Sequence, residues 1–221
     1  MAEMYDSYGV VFHPIQKNGT NLFKRLFDYF LGKPTNHQNL KINYKHHILI
    51  VRNPYDRLIS QWMHDTQIKG KYWDKKKKNT LVRYCKEQKK EFKNWVIETY
   101  KMGYVGDTTH ICSQSESLHI IPNETWKIFK LEDLIIDDLF YFLKEIDSTH
   151  LHQKYEEIIE SLEVEAGHHS RQYRALDYFM DYYDDEILEI CNSYFDIDFK
   201  TFGYEIVTHY ESSNPNLIKF I

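Results

Sequence analysis

One stretch constrains this chain more than any other: residues 8–32, YGVVFHPIQKNGTNLFKRLFDYFLG, where the spacing of the apolar residues changes across a short polar loop. Val10, Val11 and Phe12 form a compact β-branched and aromatic run, which suits a strand covered on both faces. Beyond the loop, Leu22, Leu26 and Phe30 recur at i, i+4 and i+8, with Phe23, Phe27 and Leu31 as the adjacent row. That is the stripe of an amphipathic helix, and Lys24, Arg25 and Asp28 lie off it. Gly32 stops the helix and Pro34 follows. A strand running straight into a helix aims unpaired backbone N–H groups and the positive end of the helix dipole at the space above the loop. Anions are stabilised there. Lys17 adds a full charge, Gly19 permits close approach of the backbone, and Thr20 and Asn21 bring side-chain donors. An ordinary βα connection also uses Gly and Asn for its turn, so this segment alone leaves both readings open.

A second unit repeats the plan. In HHILIVRNPYDRLISQWMH, a strand over residues 48–51 breaks at Asn53-Pro54 and a helix follows with Leu58, Ile59, Trp62 and Met63 on one side. Asn53 fits the N-cap and Pro54 the first helical position. Arg52 then sits at the carboxyl end of a strand, where open parallel sheets bind ligands, and Ser60 lies in the next helix. Two strand ends, one with Lys17 and one with Arg52, suit a ligand carrying two anionic groups.

The rest of the chain is consistent with an α/β fold, a central parallel sheet flanked by helices. WKIFK at 126–130 reads as another strand. Helices are expected over about 79–100, over DDLFYFLKEI, over 150–165 and over DDEILEICNSYF with Asp184 or Asp185 as cap, while 103–123 reads as loop. With 221 residues and 42% hydrophobic content, the chain can form one core, so a single domain spanning 1–221 is expected. No run approaches the about 20 apolar residues of a membrane span, and the N-terminus lacks the pattern of a signal peptide. Cys85, Cys112 and Cys191 are odd in number and far apart, which argues for a reducing, soluble setting without disulfides. Among twelve histidines, His46–His47 and His168–His169 are neighbours rather than i, i+4 pairs, so no metal site is expected.

The net charge of −5 conceals a basic excursion at 69–93, with eleven Lys or Arg against three Asp or Glu. A solvated surface accounts for it, as does attraction of an acidic acceptor. An acidic body with one basic patch is unlike a nucleic-acid binder.

Taken together, QKNGTN after a strand and VRNPYDRLISQW at the next one resemble the motifs of the sulfotransferases that use 3′-phosphoadenosine 5′-phosphosulfate (PAPS), in particular the carbohydrate sulfotransferase branch. The first is similar to the 5′-phosphosulfate loop, here residues 14–21. The second, at 51–62, is similar to the 3′-phosphate motif, with Arg52, Pro54, Arg57 and Ser60 in place. His110 with Gln114-Ser115, FKLEDL and the terminal DFKTFGY are weaker echoes. The resemblance implies a P-loop-like sulfotransferase fold and PAPS as sulfuryl donor, with an acceptor hydroxyl on a glycan or another compound. It implies that Lys17 compensates charge on the bridging oxygen and that Gln16, Lys17, Asn18, Gly19, Thr20 and Asn21 cradle the 5′-phosphosulfate. Arg52 and Ser60 would hold the 3′-phosphate, Ser170 would lie near the nucleotide, and Arg57 would form a structural ion pair. The acceptor needs a base: His37 is the first choice and His110 the second, with His13 and His64 behind them. The leaving group, 3′-phosphoadenosine 5′-phosphate (PAP), is stable as an anion, so the chemistry demands no metal.

Two other functions compete. A P-loop kinase would need a glycine early in the loop and Lys followed by Ser or Thr, whereas here Lys17 precedes Gly19. A catalytically degenerate domain that binds PAP or a polyanion would keep Arg52 and Ser60 without turnover.

Overall fold

The computed structural model describes residues 3–5, 8–35, 44–65, 90–102, 112–119, 126–132, 136–146 and 182–209. Contacts divide the chain into two compact units, Met1–Arg52 with Gln114–Gln172, and Asn53–Ser113 with Tyr173–Ile221. The α/β expectation holds, with one addition at the edge of the sheet.

The first unit contains a four-stranded sheet in the order β1-β2-β3-β4, with β1 at Glu3–Tyr5, β2 at Val10–His13, β3 at His46–Val51 and β4 at Trp126–Lys130. The strands β2, β3 and β4 are parallel, with His13 opposite Leu49 and Val51 opposite Lys130. By contrast β1 is antiparallel to β2, pairing Glu3 with Phe12, so the sheet is mixed. The sequence reading missed β1 because three residues carry no measurable period. Helix α1, Thr20–Leu31, links β2 to β3 and ends at Gly32, whose positive φ of 83° is backbone that glycine adopts without strain.

Alternation within the strands sends Val10, Phe12, Ile48 and Ile50 into one cluster with Phe23, Leu26, Phe27, Phe30 and Leu31 of α1. Leu139, Phe142 and Leu143 of the later helix Ile136–Ile146 complete it. The expected apolar stripe of α1 is therefore the face that covers the sheet. Phe27 is fully buried against Phe12, with ring centroids 4.8 Å apart. Burial of one such ring contributes about 2–3 kcal/mol.

His13 and His47 lie buried on neighbouring strands, with Nε2 of His13 3.2 Å from Nδ1 of His47 and the Trp126 ring packed against both. Burial, then the charge of His47, pushes the His13 imidazole down to about 4. The unfolded chain takes up this proton below about pH 6.5 while the folded chain resists until about pH 4. The stabilising contribution is therefore whole above pH 6.5 and lost as the pH falls to 4, worth about 3 kcal/mol at most. Urea unfolding at pH 7.5 and 4.5 should show this loss in the wild type and a smaller one in His13→Gln; equal losses would remove His13 as the cause.

The second unit is mainly helical where it is described. Helix α2, Pro54–Asp65, begins as expected, with the Asn53 side chain accepting from Tyr55 N at 3.0 Å. Residues 90–96 are helical and run into a π-helical turn, Ile97–Lys101. The helices Asp185–Tyr194 and Asp196–Phe202 follow, the first capped by Asp184, which accepts from Ile187 N at 3.0 Å. Their core is aromatic: Trp62, Phe92, Tyr182, Tyr183, Phe195 and Phe199 are all buried in one cluster. Lys93 binds Asp184 at 2.7 Å and Glu186 at 2.9 Å, tying the π-turned helix to the start of the next. Of the basic excursion only 90–93 lie within the described residues, as does none of the helix expected over 150–165. No helix among the described residues is long and apolar enough to cross a membrane.

Candidate active site

The loop after β2 is tightened by one carbonyl. Ile15 O accepts from Asn18 N at 3.3 Å and from the Thr20 hydroxyl at 2.5 Å, which draws the chain into a compact turn ahead of α1. Lys17 and Gly19 adopt left-handed backbone, with φ of 71° and 70°, and Asn18 between them has negative φ. Alternating φ signs are the backbone pattern of anion-binding nests, and here Asn18 N is committed to Ile15 O. The first intrahelical bond of α1 is Phe23 N to Gly19 O, so the N–H groups ahead of Phe23 lack an intrahelical acceptor by position.

Gly19 is required twice over. A Cβ placed there would stand 3.1 Å from Cε2 of Phe23, and a side chain at φ of 70° is strained whatever the space. Glycine thus leaves the backbone bare at the mouth of the helix, which is what close approach of a phosphate needs. Gln16 and Asn21 are exposed at the loop and Lys17 is half-buried.

Arg52 comes to the same place. Its Nη1 donates to Lys17 O at 3.1 Å, so the two sequence motifs meet within the first unit. The backbone of Arg52 is held by Gln114: Arg52 N donates to Oε1 at 2.9 Å, and Nε2 donates to Arg52 O at 2.8 Å. Asn18, almost fully buried, donates through Nδ2 to Ile50 O at 2.8 Å and to the same Gln114 Oε1 at 2.6 Å. Asn18 therefore faces the sheet rather than the loop mouth, which makes it a support of the cradle and not a side-chain ligand. Gln114 stood out in the sequence but without a role, because its partners are 62 and 96 residues away.

Other expected site residues are distributed differently. Ser60 is half-buried on α2 in the second unit. Arg57, one turn earlier, is buried there, donates to Cys112 O at 2.8 Å and lies over the Phe195 ring. Burial lowers its affinity for the proton, and the fields of Tyr100 and Asp198 oppose that loss. Asp198 is itself fully buried and accepts from the Ser113 hydroxyl. A structural role for Arg57 fits these surroundings. His13 is enclosed with His47, so its imidazole is closed to an acceptor hydroxyl. His64 lies on α2. His37, His110 and Ser170 fall outside the described residues. Among the described residues, no group of three or more His, Cys, Asp or Glu could hold a metal ion.

No curated protein and no solved structure matches this sequence. A family model does, over residues 3–205, described as the sulfotransferase family. That span includes both anion motifs, the whole described sheet and Gln114. Since the match takes in nearly the entire chain and the loop and strand end it contains have the chemistry of an anion cradle, the chain belongs to the sulfotransferase family and is an enzyme of sulfuryl transfer.

Proposed function

We propose that the chain moves the sulfuryl group of PAPS to a hydroxyl of a carbohydrate acceptor. The observation that carries this reading is the meeting of loop 14–21 with Arg52, through the bond from its guanidinium to Lys17 O. A nest with a lysine beside an arginine at the next strand end suits a nucleotide charged at both its 5′ and 3′ positions better than a single phosphate. Gln16, Lys17, Gly19, Thr20 and Asn21 line the 5′-phosphosulfate, with Asn18 beneath them. Arg52 takes the 3′-phosphate, a role the resemblance of the motifs also gives to Ser60, as it gives Ser170 one toward the nucleotide. Sulfuryl transfer asks for in-line positioning and for charge compensation on the leaving oxygen, which Lys17 supplies. His37 removes the proton of the acceptor hydroxyl as the oxygen–sulfur bond forms, with PAP as the leaving group; His110 is the second choice for that base. The carbohydrate acceptor rests on the resemblance of the two motifs to the carbohydrate branch.

Thermal unfolding with ligands and a labelled-PAPS screen test the reading. A hundredfold excess of PAP over its Kd should raise the unfolding midpoint by about 5–10 °C without magnesium. Stabilisation by ATP equal to that of PAP, and only with magnesium present, would replace the sulfotransferase reading with a kinase. Among sugars, phenols and tyrosyl peptides, label should pass to sugars; binding of PAP with no transfer to any of them would mark a degenerate domain. With the acceptor known, His37→Ala should lower the rate about 10²–10⁴-fold. An unchanged rate moves the base to His110.

A further inference from the structure

We propose that Gln114 is a positioning residue that sets the spacing between the phosphosulfate loop and the Arg52 strand end. This rests on the sulfotransferase reading above, and it assigns a role to a side chain that reaches neither strand end through sequence proximity. Gln114 is fully buried, and its carboxamide is engaged at both ends. Oε1 accepts from Asn18 Nδ2 at 2.6 Å and from Arg52 N at 2.9 Å, while Nε2 donates to Arg52 O at 2.8 Å. The paired bonds with one residue's N and O are those a neighbouring strand would make. Gln114 thereby continues the sheet pairing one residue past the end of β3, while its third bond fixes the residue between Lys17 and Gly19.

Its own backbone is anchored as well. Gln114 O accepts from Ser117 N at 3.2 Å and Ser115 O from Leu118 N at 3.0 Å, which opens the short helix Glu116–His119. Asn18 has no slack either, because its other amide N–H is on Ile50 O. A shift of Gln114 is therefore transmitted to the two residues flanking Asn18 and to Arg52. A carboxamide accepts and donates in this arrangement without carrying charge at any pH. An ionised glutamate keeps the acceptors, loses the donor to Arg52 O and brings negative charge toward an anionic donor. A methionine of similar size loses all three bonds and leaves buried amides unpaired.

The test uses Gln114→Glu and Gln114→Met in the full chain, with PAP titration, PAPS turnover and amide hydrogen exchange over 15–21 and 52. Both variants should remain folded, exchange faster at these positions, bind PAP about tenfold or more weakly and lose a further about 10–100-fold in kcat. The glutamate variant has a signature that mere loss of packing lacks. Protonation restores a donor and removes the charge, so its PAP affinity relative to wild type should recover between pH 8 and pH 5. Wild-type binding of PAP together with unchanged affinity and kcat in both variants overturns the proposal and leaves the sulfotransferase reading standing. Failure of the wild type to bind PAP overturns that reading and this role with it. If both variants unfold, Gln114 is a folding residue and the proposal is overturned.

Discussion

Lys17→Met is expected to lower kcat for sulfuryl transfer by about 10²–10³-fold, with PAP affinity reduced by no more than about tenfold. The split follows from when the charge appears. PAP is already the product anion, and in the proposed site the loop and Arg52 would hold its phosphates as well as Lys17. Negative charge on the bridging oxygen develops only as the sulfuryl group leaves, so a cation aimed there acts on the transition state more than on the bound ground state. Methionine is the informative replacement because it keeps the stem and removes only the ammonium. The backbone does not confuse the result: at φ of 71° both side chains bear the same left-handed cost, about 1–2 kcal/mol. Lys17→Gly would relieve that cost and mix a gain in stability with the loss of charge. Single-turnover rates with labelled PAPS, set beside PAP titrations, measure the two quantities separately. A variant whose KM rises while kcat stays at the wild-type value would show that Lys17 only binds.

What could be read from the sequence was local. The change from a β-branched run to a helical stripe across residues 8–32 contains its own evidence, and β2, the loop and α1 appear where it puts them. The same holds for Asn53-Pro54, whose cap is made by a side chain two residues from its partner, and for Asp184, three residues from Ile187. The chemistry of the cradle was legible in part, since Lys17, Gly19 and Arg52 declare an anion site by residue type. What holds the cradle in shape was not. Asn18 reads as one more loop donor, yet its amide points to Ile50 and Gln114, because the turn at Ile15 directs it inward. His13 reads as an isolated histidine, and only the parallel register, with Val11 opposite His47, brings it to its partner. Such pairs depend on strand order, which no spacing along the chain encodes. The π-helical turn at Ile97–Lys101 is hidden for a related reason. Its Tyr100 hydroxyl is held by Gln61, 39 residues earlier, and local propensity does not register that bond.

Arg57 offers the largest expected effect on stability, and it separates the structural half of the second motif from the binding half. Arg57→Met should destabilise the fold by about 3–5 kcal/mol. A methionine fills most of the space against Phe195, so packing is not the main loss. The cost comes from the groups left behind: Cys112 O loses its donor, and the buried Asp198 loses the cation whose field it shares. Charge removed from one side of such a cluster leaves the other uncompensated, whereas removal from both sides costs much less. Arg57→Met with Asp198→Asn should therefore be more stable than the sum of the two single changes predicts, by about 1–3 kcal/mol. Urea unfolding of the wild type, both single variants and the double variant closes this cycle. Additive losses would show that Arg57 and Asp198 act independently, and a loss below about 1 kcal/mol in Arg57→Met would place Arg57 outside the structural framework. At a temperature where Arg57→Met remains folded, its PAP affinity should stay within about threefold of wild type, because the guanidinium is directed to Cys112 O and buried over an aromatic ring. A larger fall in affinity without loss of stability would reverse the assignment and make Arg57 a phosphate ligand.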